Sequence, residues 1–184
     1  MKSATLLLII LFLGPTVNVL AQPNKVMSLS DGDRPISDNL PSWLLQSPIK
    51  LEVFQYPERV NATWKVNKND TIYIWKHSTT VMNPISSSIT VKEAGAYILQ
   101  SGEWKLRVQY DRKEFARLFE CPGGVLEPRE PYVFVKNWRK SPELFRGYAL
   151  WYFKGFDDED ELHVGYAIVE TRDKLIGGQK YIEK

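Results

Sequence analysis

The chain contains 184 residues, of which 43% are hydrophobic, 12% aromatic and 25% charged, with 11 glycines, 11 prolines and one cysteine. This is the composition of an ordinary globular protein, and it excludes a collagen, a low-complexity chain and a small disulfide-rich scaffold. The 24 basic and 22 acidic residues leave a net charge of +2, without the basic surplus typical of nucleic-acid-binding proteins, so we expect no nucleic-acid partner.

The first 21 residues have the three-part pattern of a secretory signal peptide. Lys2 supplies a positive charge, residues 6–13 form an uninterrupted apolar run, and Val19-Leu20-Ala21 precedes a polar stretch. We predict cleavage between Ala21 and Gln22. The apolar run is less than half of the roughly 20 residues that a spanning helix needs, and no second long run follows. We therefore expect a secreted, extracellular protein with no membrane association.

The remaining chain divides into three segments. Residues 22–48 contain several Asp, Gly and Pro residues and one short apolar group, Trp43-Leu44-Leu45, which indicates an extended leader that is partly disordered. From residue 49 the pattern changes to an alternation of apolar and polar residues, which predicts a β domain over residues 49–170. Residues 171–184 are charged and predict a C-terminal tail.

Alternating residues also predict individual strands. Residues 59–66 and 71–76 flank a polar Asn-Lys-Asn-Asp turn and predict a hairpin, and residues 103–111 alternate most regularly. The period then becomes helical, and Asp111 followed by Glu114 has the spacing of a capping box, which predicts a helix near residues 112–120. Three further strands are predicted at about 131–138, 144–153 and 161–170.

These elements define the predicted fold class. About eight strands, one short helix and no regular alternation of strands with helices predict an all-β protein, either an antiparallel β-sandwich or a closed barrel. The last two predicted strands share a Gly-Tyr-Ala-aliphatic sequence at residues 147–150 and 165–168. Small residues at these positions would allow another chain segment to approach closely.

Two kinds of residue bear on modification in an extracellular protein. Asn61 and Asn69 each begin an N-x-Thr triplet, which predicts N-glycosylation, and the alternation of residues 59–66 places Asn61 on the polar, outward face. Cys121 lies in a Pro- and Gly-rich turn, where we expect an accessible thiol. Such an odd cysteine is either free or joined to a second chain, which would give a disulfide-linked homodimer.

The chain contains none of the common catalytic or nucleotide-binding motifs, and only two histidines, His77 and His163. We therefore assign no catalytic residue, cofactor or resident metal and predict a protein that is not an enzyme, with His163 on the outer face of a strand. The residue types of a blue-copper site are present in His77, His163, Cys121 and Met82. A small cupredoxin-like copper protein is accordingly kept as an alternative, although cupredoxins hold Cys, the second His and Met close together in sequence.

The largest charge cluster is an acidic run at a predicted hairpin tip, formed by Asp157, Asp158, Glu159, Asp160 and Glu161. One interpretation is a solvated turn that keeps the strand ends from aggregating. The other is weak binding of a hard cation such as Ca²⁺, or association with a mineral surface, because carboxylates are the preferred ligands of such cations.

The 23 aromatic residues can fill a core, line a pocket for an apolar ligand or form an exposed interaction patch. Trp151 and Tyr152 point to opposite faces of one predicted strand, so we expect one of them to be exposed. Together these features predict a secreted, non-enzymatic N-glycoprotein that acts as an extracellular matrix or interaction component with an unidentified extracellular partner. A lipocalin-like carrier of an apolar small molecule is the second alternative.

Overall fold

The computed structural model describes residues 39–67 and 70–180. The predicted signal peptide, most of the predicted leader and the glycosylation candidate Asn69 lie outside these residues. Within them the protein is mainly β, with two sheets, of which the larger is curled, and two short α-helices, so the predicted all-β class is confirmed. Among the described residues, no helix has the length and apolar character needed to cross a membrane.

The elements follow one another in this order: α1 (Ser42–Leu45), β1 (Glu52–Tyr56), β2 (Arg59–Asn67), β3 (Asp70–Trp75), β4 (Ser78–Met82), β5 (Ile89–Gln100), β6 (Glu103–Asp111), α2 (Arg112–Leu118), β7 (Val125–Leu126), β8 (Pro131–Phe134), β9 (Arg139–Ser141), β10 (Gly147–Phe156) and β11 (Leu162–Lys180). A short 3-10 turn, Pro122–Gly124, joins α2 to β7.

The strands form two sheets. The small sheet has the order β1-β4-β8 and is antiparallel throughout. The large sheet has the order β6-β5-β10-β11-β2-β3-β9, with β7 paired to β5 beside it. Its neighbours are antiparallel except for β11 and β2, which run parallel. The predicted hairpin is confirmed, because β2 and β3 pair in antiparallel register from Thr63 opposite Ile74 to Asn67 opposite Asp70.

The predicted helix cap is also confirmed at α2. The side chain of Asp111 accepts a hydrogen bond from the Glu114 backbone N–H at 2.9 Å, and the Asp111 N–H donates to the Glu114 carboxylate at 3.1 Å. These bonds satisfy backbone donors that a helix start otherwise leaves unpaired. The helix buries Phe115 and ends at Leu118, with Phe119 as its C-terminal cap.

The main core lies between the two sheets and beneath α2. Its buried members come from both sheets and from the helix, namely Leu51, Val81, Ile89, Val91, Ala94, Ala96, Phe115, Phe119, Cys121, Leu126, Trp151 and Phe153. A second cluster covers the other face of the large sheet, where Leu40 and Leu44 pack with Leu150, Tyr152 and Val164. Strand β10 is therefore covered on both faces.

This double coverage overturns one expectation. Trp151 and Tyr152 do point to opposite faces, but both are buried. The reason is α1, which belongs to the segment predicted as an extended leader and which places Trp43 against the ring of Tyr152 at a centroid distance of 5.1 Å.

The C-terminal segment also differs from expectation. Residues 171–180, predicted as a charged tail, continue β11 and pair in parallel with β2, with Thr171 opposite Val60 and Gly177 opposite Thr63. The side chains of Leu175 and Ile176 are exposed, so the composition of this segment resembles that of a solvated tail. What holds the segment is the unpaired backbone edge of β2, which composition does not reveal.

The close approach predicted at the Gly-Tyr-Ala repeat is confirmed at one of the two glycines. A Cβ atom on Gly165 would lie 2.6 Å from Leu51 Cβ and 2.7 Å from the Leu51 carbonyl oxygen. A Cβ atom on Gly147 would meet nothing nearer than 3.5 Å. Gly165 is therefore required by the passage of residues 51–53 across the sheet.

Candidate functional site

The acidic run forms the turn between β10 and β11, and the side chain of Asp157 organises it. One carboxylate oxygen, Oδ1, accepts hydrogen bonds from the backbone N–H groups of Glu159 at 3.0 Å and Glu161 at 2.8 Å. The other, Oδ2, lies 2.8 Å from Nε2 of His163. These hydrogen bonds hold the pKa of Asp157 below its usual value. The bond from His163 has the largest effect, followed by the bond from the Glu161 backbone N–H.

The five carboxylates do not converge on one point. The ligand atoms that lie within 4.8 Å of one another belong to Asp157, Glu161 and His163, whereas Asp158, Glu159 and Asp160 are exposed. His163 was expected on an outer face, and this prediction is wrong because its ring is buried beneath Asp157. Sequence reasoning therefore missed the histidine that the turn brings to the cluster.

The arrangement of this turn limits its use as a metal site. Both oxygens of Asp157 already accept hydrogen bonds, and Glu161 forms an ion pair with Lys50. A cation would have to displace these partners before it could bind Asp157, Glu161 and His163 together. The local chemistry thus favours weak cation association over a preformed, high-affinity site.

The four residues of the copper alternative are not gathered in the structure. Among the described residues, the group of His, Cys, Asp and Glu side chains that could share one metal ion contains neither His77 nor Cys121. His77 is buried in the connection between β3 and β4, with Nδ1 at 3.4 Å from the Trp75 carbonyl oxygen. Burial lowers the pKa of His77 to about 4.

Cys121 was expected to be accessible, and this prediction is wrong. Its side chain is 1% exposed and belongs to the main core. The thiol donates to the Val125 carbonyl oxygen at 3.1 Å, and burial raises its pKa to about 11. The chain does turn after Cys121, but Phe115 and Phe119 pack in the main core and place the adjoining Cys121 there as well.

Asn61 lies on β2 of the large sheet, where the predicted alternation holds. Its neighbours Val60 and Ala62 are buried, whereas Asn61 is partly exposed. Parallel pairing with β11 places it opposite Arg172. Glycosylation at Asn61 and Asn69 remains a prediction.

The outer face of the small sheet carries an exposed apolar surface that sequence reasoning missed. Phe54 and Tyr56 of β1 are 52% and 79% exposed, and they pair across the sheet with Thr80 and Ser78. Val133 of β8 lies beyond Thr80 in the same row. We call this surface the apolar face, comprising Phe54, Tyr56, Ser78, Thr80 and Val133.

Alternation along β1 explains how this surface arises. Gln55 is buried and Val53 packs against the main core, so the residues between and beyond them, Phe54 and Tyr56, point away from it. Each face of this strand mixes polar and apolar side chains, with Val53 and Gln55 on the inner face and Glu52, Phe54 and Tyr56 on the outer face. Without knowledge of the second sheet, such a pattern cannot be assigned a buried and an exposed side.

A shallow groove lies at the other end of the large sheet, with a volume of about 370 Å³. It is open to solvent and has an apolar floor between two lysines; its lining residues are Lys65, Ile72, Ile74, Lys140, Ser141 and Pro142. It differs from the enclosed lumen in which a barrel carrier holds its ligand.

Comparison with known proteins places the chain in no characterised group. No protein family matches the chain, and no curated protein matches it. Sixteen chains of solved structures match. One is a Northeast Structural Genomics Consortium target, 12% identical, with a TM-score of 0.48 over 67% of this chain and 86% of the other. Another is a protein described as ApaA from Bordetella pertussis, 14% identical, with a TM-score of 0.38 over 66% and 96%. Neither likeness identifies a function.

Proposed function

We propose that this chain is a secreted, non-enzymatic N-glycoprotein that acts as an extracellular matrix or interaction component, and that a protein partner docks on the apolar face. The observation that carries the proposal is the exposure of Phe54 and Tyr56 side by side on the small sheet. Large aromatic side chains are enriched in protein–protein interfaces, and contiguous exposed apolar patches are uncommon on proteins that act alone.

The composition of the apolar face favours docking of another protein. Its central row, Phe54, Thr80 and Val133, contains no charged side chain. Burying this row against a partner would remove apolar area from water without the desolvation penalty of a charge. Three paired strands also provide a supported surface, because their inner side packs on the main core.

Secretion and glycosylation are supported by the sequence of residues 1–21 and by the two N-x-Thr triplets. Asn61 belongs to the large sheet, whereas the apolar face belongs to the small one. A glycan on Asn61 is therefore compatible with a partner on the apolar face. The acidic turn would add weak cation association through its carboxylates, as an accessory property.

The first experiment tests secretion and modification in a cultured animal cell line. We expect the tagged full chain in the medium, with Gln22 as its new N-terminus, and a faster mobility after enzymatic removal of N-glycans. Full retention inside the cells, with residues 1–21 still attached, would overturn the proposed localisation.

The second experiment tests the apolar face in the same cells. The double variant Phe54→Ser/Tyr56→Ser should reduce the share of protein recovered in the insoluble extracellular fraction or in cross-linked complexes. The matched control is Leu106→Ser, which removes another half-exposed apolar side chain, on edge strand β6 of the large sheet. Equal recovery of wild type and double variant would refute docking on this face. Saturable one-to-one binding of an apolar dye, unchanged in the double variant, would favour the carrier alternative instead.

A further inference from the structure

A buried carboxylate in the large sheet is surrounded by three arginines. Glu170 of β11 is 4% exposed, and its Oε1 lies 3.1 Å from Nη2 of Arg146 and 3.4 Å from Nε of Arg172. Its Oε2 lies 3.3 Å from Nε of Arg59. We call these four residues the arginine cluster.

The sheet topology brings these residues together from distant parts of the chain. The parallel pairing of β11 with β2 places Glu170 directly opposite Arg59. Arg172 follows Glu170 by two residues and therefore projects from the same face. Arg146 precedes β10, and its Nη2 also lies 3.4 Å from the hydroxyl group of Tyr148, which stands opposite Glu170 on the other side.

The cluster carries more positive charge than its structure requires. One arginine would suffice to compensate the buried carboxylate of Glu170, because a guanidinium can donate several hydrogen bonds to it. Arg59 and Arg172 together carry two positive charges against the single carboxylate of Glu170, so these three residues have a surplus of one positive charge. Like charges this close repel one another, and an additional anion would relieve that repulsion.

The geometry also leaves hydrogen-bond donors available. Arg59 and Arg172 approach Glu170 through Nε, and within the described part of the chain their terminal amino groups make no hydrogen bond or ion pair. The side chains of Arg59, Arg146 and Arg172 are 35%, 49% and 37% exposed, so an anion in solvent can reach them. Ion pairs with the buried carboxylate of Glu170 hold these arginine side chains in place.

We propose that the arginine cluster binds a tetrahedral oxyanion of the phosphate-monoester type, with Arg59 and Arg172 as its principal donors. A phosphate monoester carries about −1.5 to −2 charges at neutral pH, and it would compensate the positive charge that Arg59 and Arg172 carry in excess of Glu170. Planar guanidinium groups donate pairs of hydrogen bonds to such oxyanions. This inference does not depend on the docking surface proposed above.

The test is a calorimetric titration of the folded protein with inorganic phosphate and with phenyl phosphate, at matched ionic strength. Because Asn61 lies opposite Arg172, the protein is first treated to remove N-glycans. We expect saturable binding of one anion per chain. Tighter binding of phenyl phosphate would assign the site to a phosphorylated ligand, and tighter binding of inorganic phosphate would assign it to the free ion. A heat signal that changes linearly with anion concentration for both probes, without saturation, would overturn the proposal.

Variants locate the binding. Arg59→Gln and Arg172→Gln should each weaken binding by at least about tenfold, since each removes a charge-assisted donor pair. Arg117→Gln removes the same charge from an exposed position on α2 and should leave the affinity unchanged. An equal affinity in Arg172→Gln and Arg117→Gln would show that the anion binds elsewhere.

A further pair of variants keeps the test valid if a glutamine variant fails to fold. Arg172→Lys retains the charge but loses the guanidinium fork, and it should weaken binding less than Arg172→Gln does. Glu170→Gln removes the negative charge that Arg59 and Arg172 share, so the folded variant should bind phosphate more tightly than wild type does. Unchanged affinity in both variants would contradict a site at the arginine cluster.

Discussion

Nε2 of His163 lies 2.8 Å from Oδ2 of Asp157, and both side chains are almost entirely withdrawn from solvent. This contact links the start of β11 to the acidic turn that precedes it. The run of five carboxylates is thus an ordered turn around one of its members, Asp157, while the other four face solvent.

The first prediction concerns this contact. Asp157→Ala removes three hydrogen bonds and should lower Tm by several degrees at pH 7, as measured by circular dichroism. Because the pKa of Asp157 is lowered in the folded protein, its stabilisation is present above the usual carboxyl pKa and is lost as the pH falls through the folded value. The difference between wild type and variant should therefore shrink in acid.

The control for that experiment is Asp158→Ala, which removes the neighbouring exposed carboxylate. Substitutions at such surface positions usually change stability by no more than about 0.5 kcal/mol. Equal changes in Tm for the two variants would show that Asp157 stabilises the protein no more than an exposed carboxylate does. Adding Ca²⁺ should raise the Tm of wild type only slightly, because the cation must displace existing partners of Asp157 and Glu161.

The second prediction concerns His77, whose pKa is lowered to about 4 by burial and, to a smaller extent, by the nearby charge of Arg139. The unfolded chain protonates this residue near pH 6.5, so between pH 6.5 and pH 4 the unfolded state binds more protons. Stability should therefore fall by about 3 kcal/mol as the pH is lowered across this interval.

Urea unfolding between pH 4 and pH 7 measures this dependence, and the His77→Gln variant should show a shallower slope. NMR titration of the His77 ring provides an independent value. A ring that titrates near pH 6.5 in the folded protein would disprove the prediction.

The third prediction concerns Gly165. Gly165→Ala places a methyl group against the backbone of Leu51 and should destabilise the protein by about 2 kcal/mol, within the range found for overpacked interiors. Gly147→Ala is the matched control, because its methyl group would meet only ordinary contacts. Chemical denaturation compares the two, and a similar loss in both would mean that the passage of residues 51–53 does not constrain Gly165.

The fourth prediction concerns the thiol of Cys121. Its pKa is raised from 9.0 to about 11, which reduces the thiolate fraction about a hundredfold at neutral pH, and burial blocks access as well. The native protein should therefore react with a thiol reagent at least about a hundredfold more slowly than the protein in denaturant. It should also migrate as a monomer on a non-reducing gel. A covalent dimer that disappears on reduction would contradict this prediction, because the turn around Cys121 would have to open before the thiol could form a disulfide.

Several elements of the fold follow from local patterns. The β2–β3 hairpin, strand β6 and the capped start of α2 were predictable because alternation, turn residues and a capping box act over fewer than ten residues. The apolar face was not predictable, because each face of β1 mixes polar and apolar side chains and only the second sheet determines which face is covered. The arginine cluster was likewise inaccessible, since its members are adjacent only through the parallel pairing of β11 with β2.

By itself, the sequence determined the all-β class, the polar side of β2 that carries Asn61 and the cap formed by Asp111, and it predicts a secretory signal at residues 1–21. These are local properties, fixed by backbone preference and by side chains close together in the chain. Only the tertiary structure decided the burial of Cys121 and His163, the covering of β10 on both faces and the gathering of three arginines around Glu170. Burial and charge environment depend on which distant segments meet, and for a chain with a net charge of +2 such a local surplus is invisible in composition.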